Sequence, residues 1–342
     1  MNINNLFKAA TDNEASDLHI IVGKPPILRV DGELKVLPNT PTVTKEIAER
    51  MIFSILTERQ KKTFIEEREL DVSYEIPEYS RYRVNLHWEK DNVGLVSRVI
   101  SKKIPEMEDL GLPKITEDLI QQTNGLILVT GPTGCGKSTT LAAMIEKINQ
   151  TRMANIITLE DPIEFVHNPK KSIIKQRQLG TDIITFKDAL RHILRQDPNV
   201  IMVGEMRDLE TMAATITLAE TGHLVLATLH THNTAQTIDR IIDVFPPHQQ
   251  SQVRLQLSIS LSGVICQKLL PKINGGRVAV RELLINNPAV ANVIRENKIP
   301  QIKRIVQTSA EEGMFSMQQN IKELLSQNII DEVIALAYLN NI

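Results

Sequence analysis

Side chains that stack on nucleic-acid bases are scarce: aromatics make up 4% of the 342 residues, with one tryptophan, Trp88. A basic excess is missing too. The 39 lysines and arginines stand against 41 aspartates and glutamates, a formal net charge of −2. No global positive field draws a phosphate backbone, so both deficits argue against a nucleic-acid translocase. The only cysteines, Cys135 and Cys266, stand too far apart for a CxxC or zinc-type spacing. That points to a reducing compartment. No run approaches the ~18 apolar residues that a membrane helix needs, and residues 1–7 lack the basic and apolar blocks of a signal peptide. The expectation is a cytoplasmic protein without a membrane span.

What is present is ordinary globular composition, 42% hydrophobic and 23% charged, in a chain long enough for two domains. Residues 1–100 read as a mixed α+β domain. Short strands are expected at 18–22 and 27–30 around Pro25-Pro26, with a tight turn at Asp31-Gly32 into a strand at 34–37. Ile47, Met51, Ile55 and Phe64 recur at helical spacing through 44–66, and strands return at 70–76, 82–88 and 94–99. Arg81 and Arg83 alternate on the second of these and share one face, either solvated or aimed at an anion. Pro105, Gly111 and Pro113 mark 101–114 as a linker. Residues 115–342 then alternate strand and helix. The runs 126–130, 156–159, 200–203 and 224–229 are apolar throughout, as in a parallel sheet covered on both faces. Helices are expected at 186–196 and 209–220. From Pro247 the chain reads as mostly helical, broken at Asn274-Gly275-Gly276.

The segment Gly131-Pro132-Thr133-Gly134-Cys135-Gly136-Lys137-Ser138 fits G-x-x-x-x-G-K-[ST], and Thr139 opens an apolar helix after it. Glycines let the backbone turn successive N–H groups inward around phosphates, and the helix N-terminus adds partial positive charge. Lys137 is the candidate for the outer phosphates and Ser138 for Mg²⁺, so ATP is the expected nucleotide. The run 200–203 ends in Gly204-Glu205, which puts Glu205 at the sheet edge where ligands collect. Glu205 is the first candidate to orient water or Mg²⁺; an aspartate commonly precedes such a glutamate, and here the place holds Gly204. Glu160, Asp161 and Glu164 close another apolar run, and either glutamate is a candidate general base. His223 and His230 bracket the run 224–229; with no third ligand at a metal spacing, each reads by itself as a hydrogen-bonding structural residue. Cys135, beside Lys137, reads as a small space-filling residue in a setting that lowers a thiol pKa.

Together these motifs resemble the secretion-ATPase superfamily and, within it, the PilT family of type IV pilus retraction motors. The likeness runs through ASDLH at 15–19, PILRVDG at 26–32, GPTGCGKST at 131–139, TLEDPIEF at 158–165, VGEMRDLET at 203–211 and the long stretch from Glu220 to Pro246. Glycine before Glu205 is usual in that family. The resemblance implies an N-terminal PAS-like domain, a C-terminal RecA-like ATPase domain and a homohexamer that hydrolyses ATP with Mg²⁺. It implies that His223 and His230 sense the nucleotide, and that Arg81, Arg83 and Arg98 approach phosphates across an interface. It also implies a place at the cytoplasmic face of the inner membrane, against a pilus platform protein, with a paralogous retraction ATPase as a further candidate partner. Extension motors of the PilB type are longer and usually carry a four-cysteine zinc site. The AIRAGE-like element of retraction motors is matched only in part, at 304–313. A PilU-like accessory motor and a type IVB secretion ATPase are the alternatives.

Overall fold

The computed structural model describes residues 1–30, 32–77, 79–100 and 104–339. Asp31 of the expected turn and residues 101–103 of the expected linker lie outside them. Contacts divide the chain into two units, Met1–Lys103 and Ile104–Ile342.

The first unit is built from α1 (Ile3–Asp12), β1 (Asp17–Ile20), β2 (Ile27–Val30), β3 (Glu33–Val36), α2 (Lys45–Phe53), α3 (Glu58–Glu67), β4 (Glu69–Ile76), β5 (Ser80–Glu89) and β6 (Asn92–Ile100). Its strands form an antiparallel sheet in the order β3-β2-β1-β6-β5-β4. No element was expected for residues 3–12. Yet Ile3, Leu6, Phe7 and Ala10 fall on one helical face and are buried there. Phe7 stacks on Tyr82 of β5 with ring centroids 4.5 Å apart, and the Tyr82 hydroxyl donates to the Phe7 carbonyl at 3.0 Å. The helix expected over 44–66 is two helices. Thr57 restarts it, its hydroxyl accepting from the Gln60 N–H while the Gln60 side chain accepts from the Thr57 N–H.

In the second unit, residues 104–114 are anchored rather than free. Met107 is buried, Glu108 lies 3.0 Å from Lys147, and Arg281 donates to the Gly111 carbonyl at 3.0 Å. There follow α4 (Ile115–Gln121), β7 (Gly125–Thr130), α5 (Lys137–Thr151), β8 (Asn155–Glu160), β9 (Ile173–Gln178), α6 (Phe186–Ile193), β10 (Val200–Val203), α7 (Leu209–Glu220) and β11 (Leu224–Leu229). The chain continues through α8 (Thr234–Asp243), α9 (Pro247–Ser260), β12 (Leu261–Pro271), β13 (Arg277–Ile285), α10 (Pro288–Arg295), α11 (Ile302–Thr308), α12 (Met317–Ser326) and α13 (Glu332–Leu339).

A seven-stranded sheet runs β13-β12-β7-β11-β10-β8-β9, and every neighbouring pair is parallel except β12–β13. Each central strand divides its residues between two cores. Leu126 and Leu128 of β7 face one core with Ile201 and Val225, while Ile127 and Val129 face the other with Val200 and Leu224. That two-sided burial is why these runs are apolar without alternation. Residues beyond Pro247 correct the helical expectation. The helix α9 passes directly into β12, whose Val264, Ile265 and Leu270 are buried, and Asn274-Gly275-Gly276 turns a hairpin. Gly275 and Gly276 have φ of 81° and 72°, the left-handed backbone that a tight β-turn needs. The architecture is a RecA-like α/β domain preceded by an α+β, PAS-like one.

Candidate nucleotide site at the strand ends

Parallel strands bring their C-terminal ends to one edge, and the chemistry gathers there. Gly131 leaves β7 with φ 142°, and a Cβ on it would lie 2.2 Å from the Gln267 carbonyl oxygen of β12. Only glycine fits that approach. The loop then passes through Gly134 and Gly136, also at positive φ, and α5 starts at Lys137 without a side-chain cap. Its first N–H groups are therefore left for an anion. Ser138 and Thr139, half-buried, occupy that first turn, where the Ser138 hydroxyl is the kind of oxygen donor that Mg²⁺ takes.

Lys137 is 9% exposed and donates to the carbonyls of Gly131 at 2.9 Å and Pro132 at 3.1 Å. Its ammonium also stands 3.4 Å from Nδ1 of His230, at the end of β11. An ammonium has no acceptor, so Nδ1 must accept and Nε2 carries the proton. Nε2 in turn lies 2.9 Å from Glu205 Oε1, and Arg207 donates to Glu205 Oε2 at 2.8 Å. The four side chains thus form one relay: lysine, histidine, glutamate, arginine. Burial pushes the Glu205 pKa up. The hydrogen bonds from Arg207 and His230, with the Arg207 charge, outweigh it and hold the carboxyl below its ordinary value.

Gly204 has its own reason. A Cβ there would meet the Leu159 carbonyl oxygen at 3.1 Å and Glu160 Cα at 3.4 Å, which leaves little room for the more common aspartate. Thr228 of β11 holds the turn, its hydroxyl donating to the Gly204 carbonyl and its own carbonyl accepting from the Met206 N–H.

The sheet order sets which candidates meet. At ~4.8 Å per strand, β11 lies about 5 Å from β7, β10 about 10 Å and β8 about 14 Å. Glu160, on β8, is 7% exposed and turned toward β9. It accepts from the Thr158 hydroxyl at 2.6 Å, the Gln176 amide at 3.0 Å and the Glu164 backbone. Burial pushes its pKa up despite those bonds. Its carboxyl braces the turn, and Asp161 and Glu164 are the exposed acids of that cluster. His223 corrects the expectation for the histidine pair. It precedes β11 and its carbonyl accepts from the Gly125 N–H at the start of β7, so the length of β11, roughly 20 Å, separates it from the loop. Its Nδ1 lies 3.0 Å from the Leu218 carbonyl, a local structural contact. The Cys135 setting is corrected as well. Burial raises its thiol pKa, outweighing the nearby Lys137 charge.

Arg81, Arg83 and Arg98 belong to the first unit. Arg83 and Arg98 are exposed and directly opposite on β5 and β6, and Arg98 donates to Asp17 of β1 at 3.2 Å. Gln267 was not among the expected residues. It is buried beside the loop, donating to the Cys135 carbonyl at 2.8 Å and accepting from the Thr140 hydroxyl at 3.0 Å.

The family model for type II/IV secretion system proteins matches residues 1–335. The type IV pilus retraction ATPase PilT of Pseudomonas aeruginosa is 45% identical over 330 residues, covering 96% of this chain and 96% of that protein. A twitching motility protein of Neisseria gonorrhoeae is 47% identical over 306 residues, covering 89% of this chain and 82% of its own length. The crystal structure of the pilus retraction motor PilT with bound ADP is similar with a TM-score of 0.94 at 45% identity, covering 98% of this chain and 96% of that one. No helix among the described residues is long and apolar enough to cross a membrane.

Proposed function

The chain belongs to the family of type II/IV secretion system proteins, and on that premise we propose that it is a Mg²⁺-dependent ATPase that powers retraction of type IV pili. The observation that carries hydrolysis is the relay from Lys137 through His230 to Glu205, which joins a phosphate loop to a carboxylate kept ionised. Retraction as the work done rests on the 45% identity to PilT across almost the whole of both chains.

Bound Mg²⁺ would screen the phosphate charge, and the γ-phosphorus of ATP is the electrophile. Lys137 would exchange the carbonyls of Gly131 and Pro132 for phosphate oxygens, and the Ser138 hydroxyl would hold the metal. The amides of Gly136, Lys137, Ser138 and Thr139 would face the charge that develops on the transferred group. Glu205 would position the attacking water, and could reach Mg²⁺ through a water. His230 links that carboxylate to the lysine, so occupancy of the loop is felt at the base. Glu164 is the second acid at the same edge, within the same proposal. The assembly proposed is a homohexamer at the cytoplasmic face of the inner membrane, against a pilus platform protein. In that ring Arg81, Arg83 and Arg98 of another subunit would reach the phosphates.

The test is a chromosomal Lys137→Ala replacement in the source organism, scored for surface pili and twitching, with phosphate release measured on the purified variant. Abundant pili without twitching are expected, together with lost phosphate release. Bald cells would indicate extension instead, and unchanged pili would point to another secretion system.

A further inference from the structure

A loop that turns its N–H groups toward an anion must turn carbonyls away from it, and those carbonyls need donors of their own. Gln267, 1% exposed, supplies one from β12. Its Nε2 donates to the Cys135 carbonyl at 2.8 Å, and its Oε1 accepts from the Thr140 hydroxyl in the first turn of α5 at 3.0 Å. A trans peptide is planar, with its C=O and the following N–H pointing in opposite directions. Fixing the Cys135 carbonyl toward β12 therefore aims the Gly136 N–H away from β12, into the cradle. The same residue confines the start of the loop, since its backbone carbonyl lies where a Gly131 Cβ would stand. Both halves of the amide are used. A carboxylate would face the Cys135 carbonyl with an oxygen, and a thioether would leave that carbonyl and the Thr140 hydroxyl without their partner.

We propose that Gln267 is a positioning residue for nucleotide binding, which sets the Cys135–Gly136 peptide of the phosphate loop from β12. This rests on the reading of that loop as a nucleotide site, and the test separates the two. The full-length protein and its variants are titrated with a fluorescent ADP analogue, and each is melted without nucleotide. Parent binding that is abolished in Lys137→Ala establishes the site; retained binding in that variant would sink the site reading itself. Gln267→Met should then weaken ADP binding roughly tenfold, the effect of stranding one buried carbonyl. Gln267→Glu should weaken it at least as much. Thr140→Val, which frees one end of the amide, should shift affinity by a few-fold in the same direction. A lowered melting temperature with unchanged ADP affinity would make Gln267 a packing residue only and overturn the proposal. If the Gln267 variants do not fold, Thr140→Val decides, and parent-like affinity there overturns it.

Discussion

Replacing Glu205 by glutamine keeps the side-chain shape and removes the charge together with one acceptor. Two donors converge on the carboxylate, His230 Nε2–H at 2.9 Å and Arg207 at 2.8 Å. His230 cannot relieve the conflict by moving its proton to Nδ1, because Nδ1 faces the Lys137 ammonium at 3.4 Å. An amide NH₂ must then face one of the two donors, and one charge-assisted bond is lost. For a side chain that keeps 23% of its exposure, that costs about 1–2 kcal/mol of stability. The chemical step should suffer more. A carboxylate that positions water contributes ~100- to 10,000-fold to turnover, or about 3–5 kcal/mol of barrier. Steady-state phosphate release at saturating ATP, paired with a fluorescent ADP titration, separates the two effects. Glu205→Gln should lose turnover on that scale while ADP affinity, carried by the loop, stays near the parent's. A variant that keeps more than about a tenth of parental kcat would fall below the general-base range and move the role to Glu164. A parallel loss of ADP affinity would instead make Glu205 a brace for the loop.

Gly204→Asp would press a Cβ against the Leu159 carbonyl, for which overpacking costs about 1–3 kcal/mol; an unchanged melting temperature would refute the account of that glycine. His230→Ala should lower turnover, whereas His223→Ala, at the opposite sheet edge, should leave both turnover and ADP affinity as they are; equal losses would overturn the assignment. Acid should destabilise the second unit through His167 and Glu146, which lie 2.8 Å apart with Lys170 on the other carboxyl oxygen. Burial, partly countered by Glu146, lowers the His167 pKa from 6.5. The neutral ring's contribution is thus complete above pH 6.5 and lost as pH falls through the lowered value. Burial raises the Glu146 pKa, but bonds from Lys170, His167 and Asn149 bring it below 4.5, so its share is present above that pH and is lost further into acid. His167→Gln should remove the earlier part of the decline in a denaturation series across pH, and an identical pH profile would contradict it.

Local patterns carried some conclusions and left others out of reach. The phosphate loop and the four apolar strands were legible because their signals are contiguous: a spaced motif, and runs buried on two faces. The edge strand β9, Ile173–Gln178, mixes Lys175, Gln176 and Arg177 with its isoleucines and has no such run. In 261–285 the apolar content suggested helix, while the Asn274-Gly275-Gly276 turn was the stronger clue. The two histidines looked equivalent in sequence, but a strand places its ends at opposite edges of the sheet. Gln267 was out of reach for a related reason. Its partner Cys135 is 132 positions away, and only the pairing of β12 with β7 brings them together.

The row at the sheet edge has a consequence for how such a chain tolerates change. Lys137, His230 and Glu205 follow β7, β11 and β10, strands that are neighbours in space although β8, β9 and β10 separate β7 from β11 along the chain. Their mutual placement is fixed by backbone pairing, and the crossover helices between them only return the chain to the far edge. Insertions at that far edge, near Asn124, Asn199 or Gly222, would lengthen the path without altering the spacing of the row. Length variation among relatives should therefore concentrate at those turns, on the side of the sheet away from the nucleotide.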